Sequence, residues 1–361
     1  MRLLLAIFAL VIASAAQERN SAVELRRANS LRYGQENGQA VQELTGEVLI
    51  VKDSLNITCE QALYYPDSGR LIFRQDVQFQ DGKRLMFANQ VTYSDWTEVV
   101  EAVGDVRIYQ DTISIYCNRA VYRERLGVGY LYENVRVKYE PRGLTLTGGI
   151  GYFDHRDKSA WVAQDPVLTR KDSVGYVDTE IAGDTITYDE SLGLATTKNN
   201  VIITRDSLTA FGQRLEFYPD SLFAVLTGKP LALSGADSIG GDTMRLFFKD
   251  EELERVEVQG EAIASSPSDS LPNSPRQILT GKQMMLWIEN SALSRALVQD
   301  NATATYYVRD KQDAQGLNVT SGDKLLITFD KRRISRIRVE GGTQGTFTPE
   351  SLVASPATNK P

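Results

Sequence analysis

Few residues in this sequence have the types and spacing of a reaction centre. The single histidine, His155, sits in the turn-like run Asp154-His155-Arg156-Asp157, and one imidazole cannot build a histidine-rich metal site. Carboxylates are plentiful, but many recur at matching positions along the chain, as solvated turn residues do. A catalytic acid/base pair would instead be unique to one place. No phosphate-binding glycine loop and no activated-nucleophile motif stands out. The residues therefore predict no enzyme, no metal and no cofactor, with a carbohydrate-active enzyme as the least favoured alternative.

The two cysteines, Cys59 and Cys117, lead to the organisation of the chain. Each opens the same short run: a small residue, two mostly polar residues, an apolar residue, any residue, then an aromatic or large aliphatic. Cys59 leads to Tyr64, Ala88 to Tyr93 and Cys117 to Tyr122, at intervals of 29 residues. Later copies open at Gly148, Gly183, Gly212, Gly241, Gly281 and Gly322, which gives nine copies over about 46–346. Such self-similarity is the signature of a repeat array with one continuous core. Because two repeats separate the cysteines, they stand at least ~10 Å apart if each adds a strand. That is beyond the ~7 Å reach of a disulfide, so both are predicted to be free.

Within a repeat the alternation is that of strands. Leu55, Ile57 and Cys59 share a face, after which the phase slips by one and Ala62 and Tyr64 take that face over. A one-residue slip predicts a β-bulge, a bend that keeps the apolar face inward. The small residue stands beside each bend. Turn-like residues follow 12 positions after the aromatic in the first six copies, at Asp76, Asp105, Asn134, Asp165, Asn200 and Lys229. Asp-Ser and Asp-Thr pairs such as Asp53-Ser54 and Asp111-Thr112 mark hairpins, so the sheet is predicted to be antiparallel. The fold class is all-β: an elongated antiparallel β-jellyroll or V-shaped solenoid of about nine repeats of roughly 29–40 residues.

The ends are different in character. Met1-Arg2, the apolar run Leu3 to Ile12 and the small residues at 13–16 read as a secretory signal peptide over 1–16. Residues 17–45 read as a polar, mobile leader with a short helix at 22–27. Repeats one to seven occupy 46–264, a proline- and serine-rich loop or hinge 265–276, and repeats eight and nine 277–346. Residues 347–361 read as a disordered tail. The net charge of −7, without a basic stripe, argues against nucleic acid as a partner.

The repeated run, with Gly104-Asp105-Val106-Arg107-Ile108 and Gly183-Asp184-Thr185-Ile186-Thr187-Tyr188, resembles the OstA/LptA family of organic-solvent-tolerance proteins. The resemblance spans about 46–346. It implies a periplasmic β-jellyroll that carries lipopolysaccharide toward the outer membrane, with acyl chains against the inward apolar side chains. The groove residues this implies are Leu55, Ile57, Tyr64, Val77, Phe79, Val91, Tyr93, Val106, Ile108, Ile113, Ile115, Tyr122, Val135, Val137, Ile186, Tyr188, Leu215 and Phe217. The implied partners are lipopolysaccharide or a related glycolipid, and other jellyrolls or a second copy joined edge to edge. The strand opened by Gly46, with Val48, Leu49, Ile50 and Val51, carries no proline and little charge, and is predicted to be the docking edge. The bland alternative is that the leader covers it. From pattern alone the interior reads as a closed core, and the class-level alternative is a structural or adhesive cell-surface solenoid.

Overall fold

The computed structural model describes residues 23–352, apart from positions 53, 173, 190, 206, 219–220, 250–251, 269–273, 290–291, 311–312 and 331–332. The signal segment 1–16 and most of the expected tail lie outside the described residues. No helix among the described residues is long and apolar enough to cross a membrane.

The chain divides into two compact units, 1–198 and 199–361. The first holds β1 (Glu24–Arg27), β2 (Ser30–Glu36), β3 (Gln39–Lys52), β4 (Leu55–Tyr65), β5 (Arg70–Asp81), β6 (Arg84–Ser94), β7 (Val99–Gln110), β8 (Ile113–Arg123), β9 (Val128–Tyr139), β10 (Leu144–Asp154), β11 (Ser159–Ala163), β12 (Val167–Lys171), β13 (Val177–Ala182) and β14 (Thr185–Asp189), with β15 (Leu194–Arg205) running on into the second unit. From β3 to β10 each strand pairs antiparallel with the next. From β10 onward the two halves of a long strand separate: β11 and β12 pair with different halves of β10, and β14 and β13 extend them.

The second unit repeats the pattern with β16 (Leu208–Tyr218), β17 (Phe223–Thr227), β18 (Leu231–Ser234), β19 (Asp237–Gly240), β20 (Thr243–Lys249), β21 (Glu252–Pro267), β22 (Arg276–Glu289), β23 (Ala292–Asp310), β24 (Asp313–Asp330), β25 (Arg333–Glu340) and β26 (Gln344–Pro349). Its buried side chains include Leu226, Met244, Met284, Leu325 and Ile327.

The bend has a specific backbone form. Thr58 pairs with Gln78 and Gln61 with Arg74, so β4 advances three residues where β5 advances four. The extra residue of β5 lies at Gln75 and Asp76, both left-handed at φ 65° and 52°. The same pairing of left-handed residues recurs as Gly46-Glu47, Gly104-Asp105, Glu133-Asn134, Gln164-Asp165, Asn199-Asn200, Gly228-Lys229, Gly260-Glu261, Asp300-Asn301 and Gly341-Gly342. Asn, Asp and Gly dominate because they tolerate this region best. Of the six turn-like residues expected from Asp76 to Lys229, Asp76, Asp105, Asn134 and Asn200 are thus the second members of mid-strand bends, while Asp165 and Lys229 form the same bend between β11 and β12 and between β17 and β18.

The small residue sits where the next strand crosses most closely. A Cβ on Gly281 would stand 2.5 Å from Val298 Cγ1, and one on Gly241 2.4 Å from Val258 Cγ1. The residue after it caps the neighbouring bend: the backbone N–H of Asp242 donates to Gly260 O, and that of Asp323 to Gly341 O. The Gly-Asp dipeptide of the repeat is explained by this corner.

Several expectations are corrected. The leader forms strands from residue 24 on, with Glu24–Arg27 a strand in place of the helix expected over 22–27. Ala28-Asn29-Ser30-Leu31-Arg32-Tyr33 is a further copy of the repeat, followed by its own bend at Gly46-Glu47. Val48, Leu49, Ile50 and Val51 are not a free edge: they lie inside β3, between β4 and β1, with Leu25 opposite Ile50 and Arg27 opposite Leu49. The alternation that buries Val48 and Ile50 makes them core side chains, at 1% and 9% exposure. The expected hinge at 265–276 is a hairpin: Ser265, Ser266 and Pro267 pair with Ile278, Gln277 and Arg276, so the array is not interrupted there. Part of the expected tail, Phe347 to Pro349, pairs with β24.

Candidate functional site

The candidate site is the apolar interior of the first unit, built from two rows of inward side chains. On the half of the strands before the bend of β4, Ile50, Ile57, Phe79, Met86, Ile108, Ile115, Val137 and Leu146 stand opposite one another from strand to strand. On the other half a second row alternates aromatic rings with smaller side chains: Tyr64, Leu71, Tyr93, Val100, Tyr122, Gly129, Phe153, Ala160, Tyr188. Strand spacing of about 4.8 Å leaves no room for a large ring on every strand, which accounts for the alternation. Phe73 of one half meets Phe79 of the other edge to face at 5.6 Å, so both halves belong to one core.

The interior is filled by its own side chains. Val91 is fully buried, and Leu55, Val77, Phe79, Val106, Ile108, Ile113, Ile115, Tyr122, Val135, Val137 and Ile186 all belong to the same buried cluster. Ile57 and Tyr93 pack against it while partly exposed. Tyr188 is buried. Tyr64 lies on the inward row but is 37% exposed, at the end of the row nearest the first strands. Leu215 and Phe217 belong to the second unit, where Leu215 is buried and Phe217 meets Phe248 at 6.4 Å. The expected groove set left out Phe73, Met86, Val100, Leu131, Leu146 and Phe153, which the same alternation places inward, although Phe153 is the aromatic of the copy that opens at Gly148. Cys59 and Cys117 are free and buried, and burial pushes their thiols up to about 11 and about 12.

The rim of this interior is polar. Lys52, Asp81 and Gln110 end strands on one side, where Arg84 stands 3.6 Å from Asp81. A polar cleft of about 380 Å³ there is lined by Asp81, Gly82, Lys83, Arg84, Gln110 and Asp111, on hairpins and not in the apolar interior. The opposite rim carries Asp95, Glu98 and Glu124 beside Tyr93 and Tyr122. Burial pushes the Tyr93 hydroxyl up to about 12, with Glu124 next in effect. The outer face has its own ladder, Tyr130, Tyr152 and Trp161, with successive ring centroids 5.1 and 5.5 Å apart.

Bent antiparallel strands closed around an apolar interior define an all-β, jellyroll-like protein. Residues 67–163 match the family described as OstA-like protein, and this segment runs from just before β5 through β11. Over this segment, and not over the whole chain, the sequence is similar to OstA-like proteins. Among solved structures the chain is similar to LptH of Pseudomonas aeruginosa, described as the LptA-homologous periplasmic component of the conserved lipopolysaccharide transport device. The identity is 15%, with 39% of this chain and 95% of that chain covered and a TM-score of 0.31. No curated protein matches the chain.

Proposed function

We propose that the protein is a non-enzymatic, periplasmic carrier of lipopolysaccharide or a related glycolipid, whose acyl chains lie against the inward side chains of the first unit. The observation that carries this reading is the continuous apolar interior from Val48 to Val162, which contains most of the OstA-like segment's inward positions. Water-to-apolar transfer of acyl chains is favourable by about 0.8 kcal/mol per buried CH2, so a lined interior of this kind can hold a lipid without directional bonds. Because the interior is closed by its own packing, a lipid must enter by parting the two rims.

That closed packing also favours the second reading, a structural or adhesive solenoid whose interior never opens. Purification from the periplasm of a lipopolysaccharide-producing host, followed by mass spectrometry of extracted lipid, separates the two. Stoichiometric glycolipid supports carriage; repeatedly lipid-free protein supports the scaffold. Other jellyroll components, or a second copy, are proposed to join at the sheet edges, where β1 and β2 now form the N-terminal edge in place of Val48 to Val51.

A further inference from the structure

Among the described residues, Glu124 is a rim residue whose surroundings do not satisfy it. It follows β8 and continues the inward alternation of Ala120 and Tyr122, so its carboxylate is turned toward the mouth of the interior. Both Oε1 and Oε2 are shielded from solvent and lack a hydrogen-bond partner among the described residues. Buried oxygens left in this way are costly when charged.

Its neighbours come from both rims. On its own side are Glu98, whose carbonyl accepts from the Glu124 backbone N–H at 2.9 Å, and Asp95, whose backbone N–H donates to Gly69 O at 2.9 Å. Glu98 is itself 3.5 Å from Arg125. Tyr93 and Tyr122 feel the Glu124 charge, and Asp154 and Arg156 act on Tyr122 from the next hairpin. From the opposite rim comes Lys52, the last residue of β3, which acts on Glu124 across the seam. The charge of a residue that ends β3 thus bears on a residue that follows β8.

We propose that Glu124 is a charge-sensitive latch on the mouth of the first unit: the rims close over the apolar interior while its carboxyl is neutral, and part more readily once it is ionised. The physical cause is a like-charge cluster in a dry place, with Glu98 and Asp95 on one side and a single lysine opposite. Burial first, and Glu98 second, push the carboxyl up to about 7, while Lys52 pulls it down.

The sign follows from proton linkage. An opened, hydrated Glu124 returns to its ordinary value of 4.5, so closing takes up a proton between 4.5 and about 7. Closure is most favoured below this window, weakens through it as pH rises, and changes no further above it. The inference concerns opening of the mouth and does not require that lipopolysaccharide be the cargo.

The test is hydrogen exchange on the full chain at pH 5, 6, 7 and 8, corrected for intrinsic chemical rates, with entry of the uncharged apolar dye N-phenyl-1-naphthylamine followed in parallel. Protection of segments 93–99 and 122–128 should fall between pH 5 and 7, by at most about tenfold per pH unit, and then level off. Dye entry should rise over the same range. Glu124→Gln should flatten both profiles. Glu98→Gln should move the window to lower pH, and Lys52→Gln to higher pH, so the opposed shifts remain readable even if Glu124→Gln fails to fold. The proposal is overturned by an unchanged pH profile in Glu124→Gln, by neighbour shifts of the wrong sign, or by dye entry that ignores pH while the hairpins loosen.

Discussion

The ring of Phe153 lies directly over Gly129: a Cβ added to that glycine would stand 1.9 Å from Phe153 Cζ. The two residues are paired across β9 and β10, and Tyr122 stacks on the same ring at 6.0 Å with planes 9° apart. The glycine is needed for space alone. It is what lets the aromatic row continue with a full ring on every second strand.

Gly129→Ala should therefore lower the stability of the first unit by about 1–3 kcal/mol, as overpacking does when a buried ring must leave its rotamer. Urea unfolding followed by tyrosine and tryptophan fluorescence measures this. Wild-type stability in the variant would mean that Phe153 is free to move aside, and that the row is not packed as described.

The corner position allows a comparison of equivalent sites. Cys117→Ala should be tolerated within about 1 kcal/mol, since Ala88 already fills the same slot one repeat earlier. Gly281→Ala should cost about 1–3 kcal/mol, because the new methyl would meet Val298 Cγ1 at 2.5 Å and Gln299 O at 3.0 Å. Equal effects in both, measured by denaturant unfolding, would contradict the view that later corners are tighter than the first three.

Most of this corner was legible in the sequence. Spacing alone located Asp76, Asp105 and Asn134 as turn-like residues, and the structure places them in the bends, because only a few residue types accept the left-handed backbone. The copy at Ala28 was equally present, but Arg26, Arg27 and the polar run after them mask it, since the outermost strands have no neighbour to bury their second face. Leu25 and Leu31 remain 47% and 48% exposed for that reason. The alternation that placed Val77 and Val106 inward also placed Val48 and Ile50 inward, against their reading as a docking edge. Glu124 was not legible: its charge is set by burial and by Glu98 and Lys52, 26 and 72 positions away, which only the folded strands bring to bear on it.

The thiols offer a chemical check on burial. At pH 8 and in the native state, iodoacetamide should leave Cys59 and Cys117 unmodified, because both are buried and their thiolates are suppressed. Both should label stoichiometrically in urea without prior reduction. Native-state labelling at the rate of a free thiol would show that the corner opens, and a mass two units low would show a disulfide that the register forbids.

The N-terminal edge is guarded by very little. β1 is four residues long, all exposed, and its Arg26 and Arg27 are engaged by Glu24 and Glu47 at the surface. Such pairs contribute roughly 0–1 kcal/mol. Deleting Glu24 to Arg27 should uncover the backbone of Leu49 to Val51 and raise self-association in sedimentation velocity, with the fold of β4 to β15 retained. A variant that stays as monodisperse as the parent, while folded, would remove this edge from consideration as a docking surface.

The central claim, that the interior of the first unit carries acyl chains, is tested most directly by site-specific photocrosslinking in lipopolysaccharide-producing cells. A photoreactive residue at Tyr93, on the inward row, is compared with one at Leu49, on the outward face of β3. The account predicts lipopolysaccharide adducts from Tyr93 and none from Leu49. Adducts from neither position, with both variants folded and exported, or equal adducts from both, would contradict it.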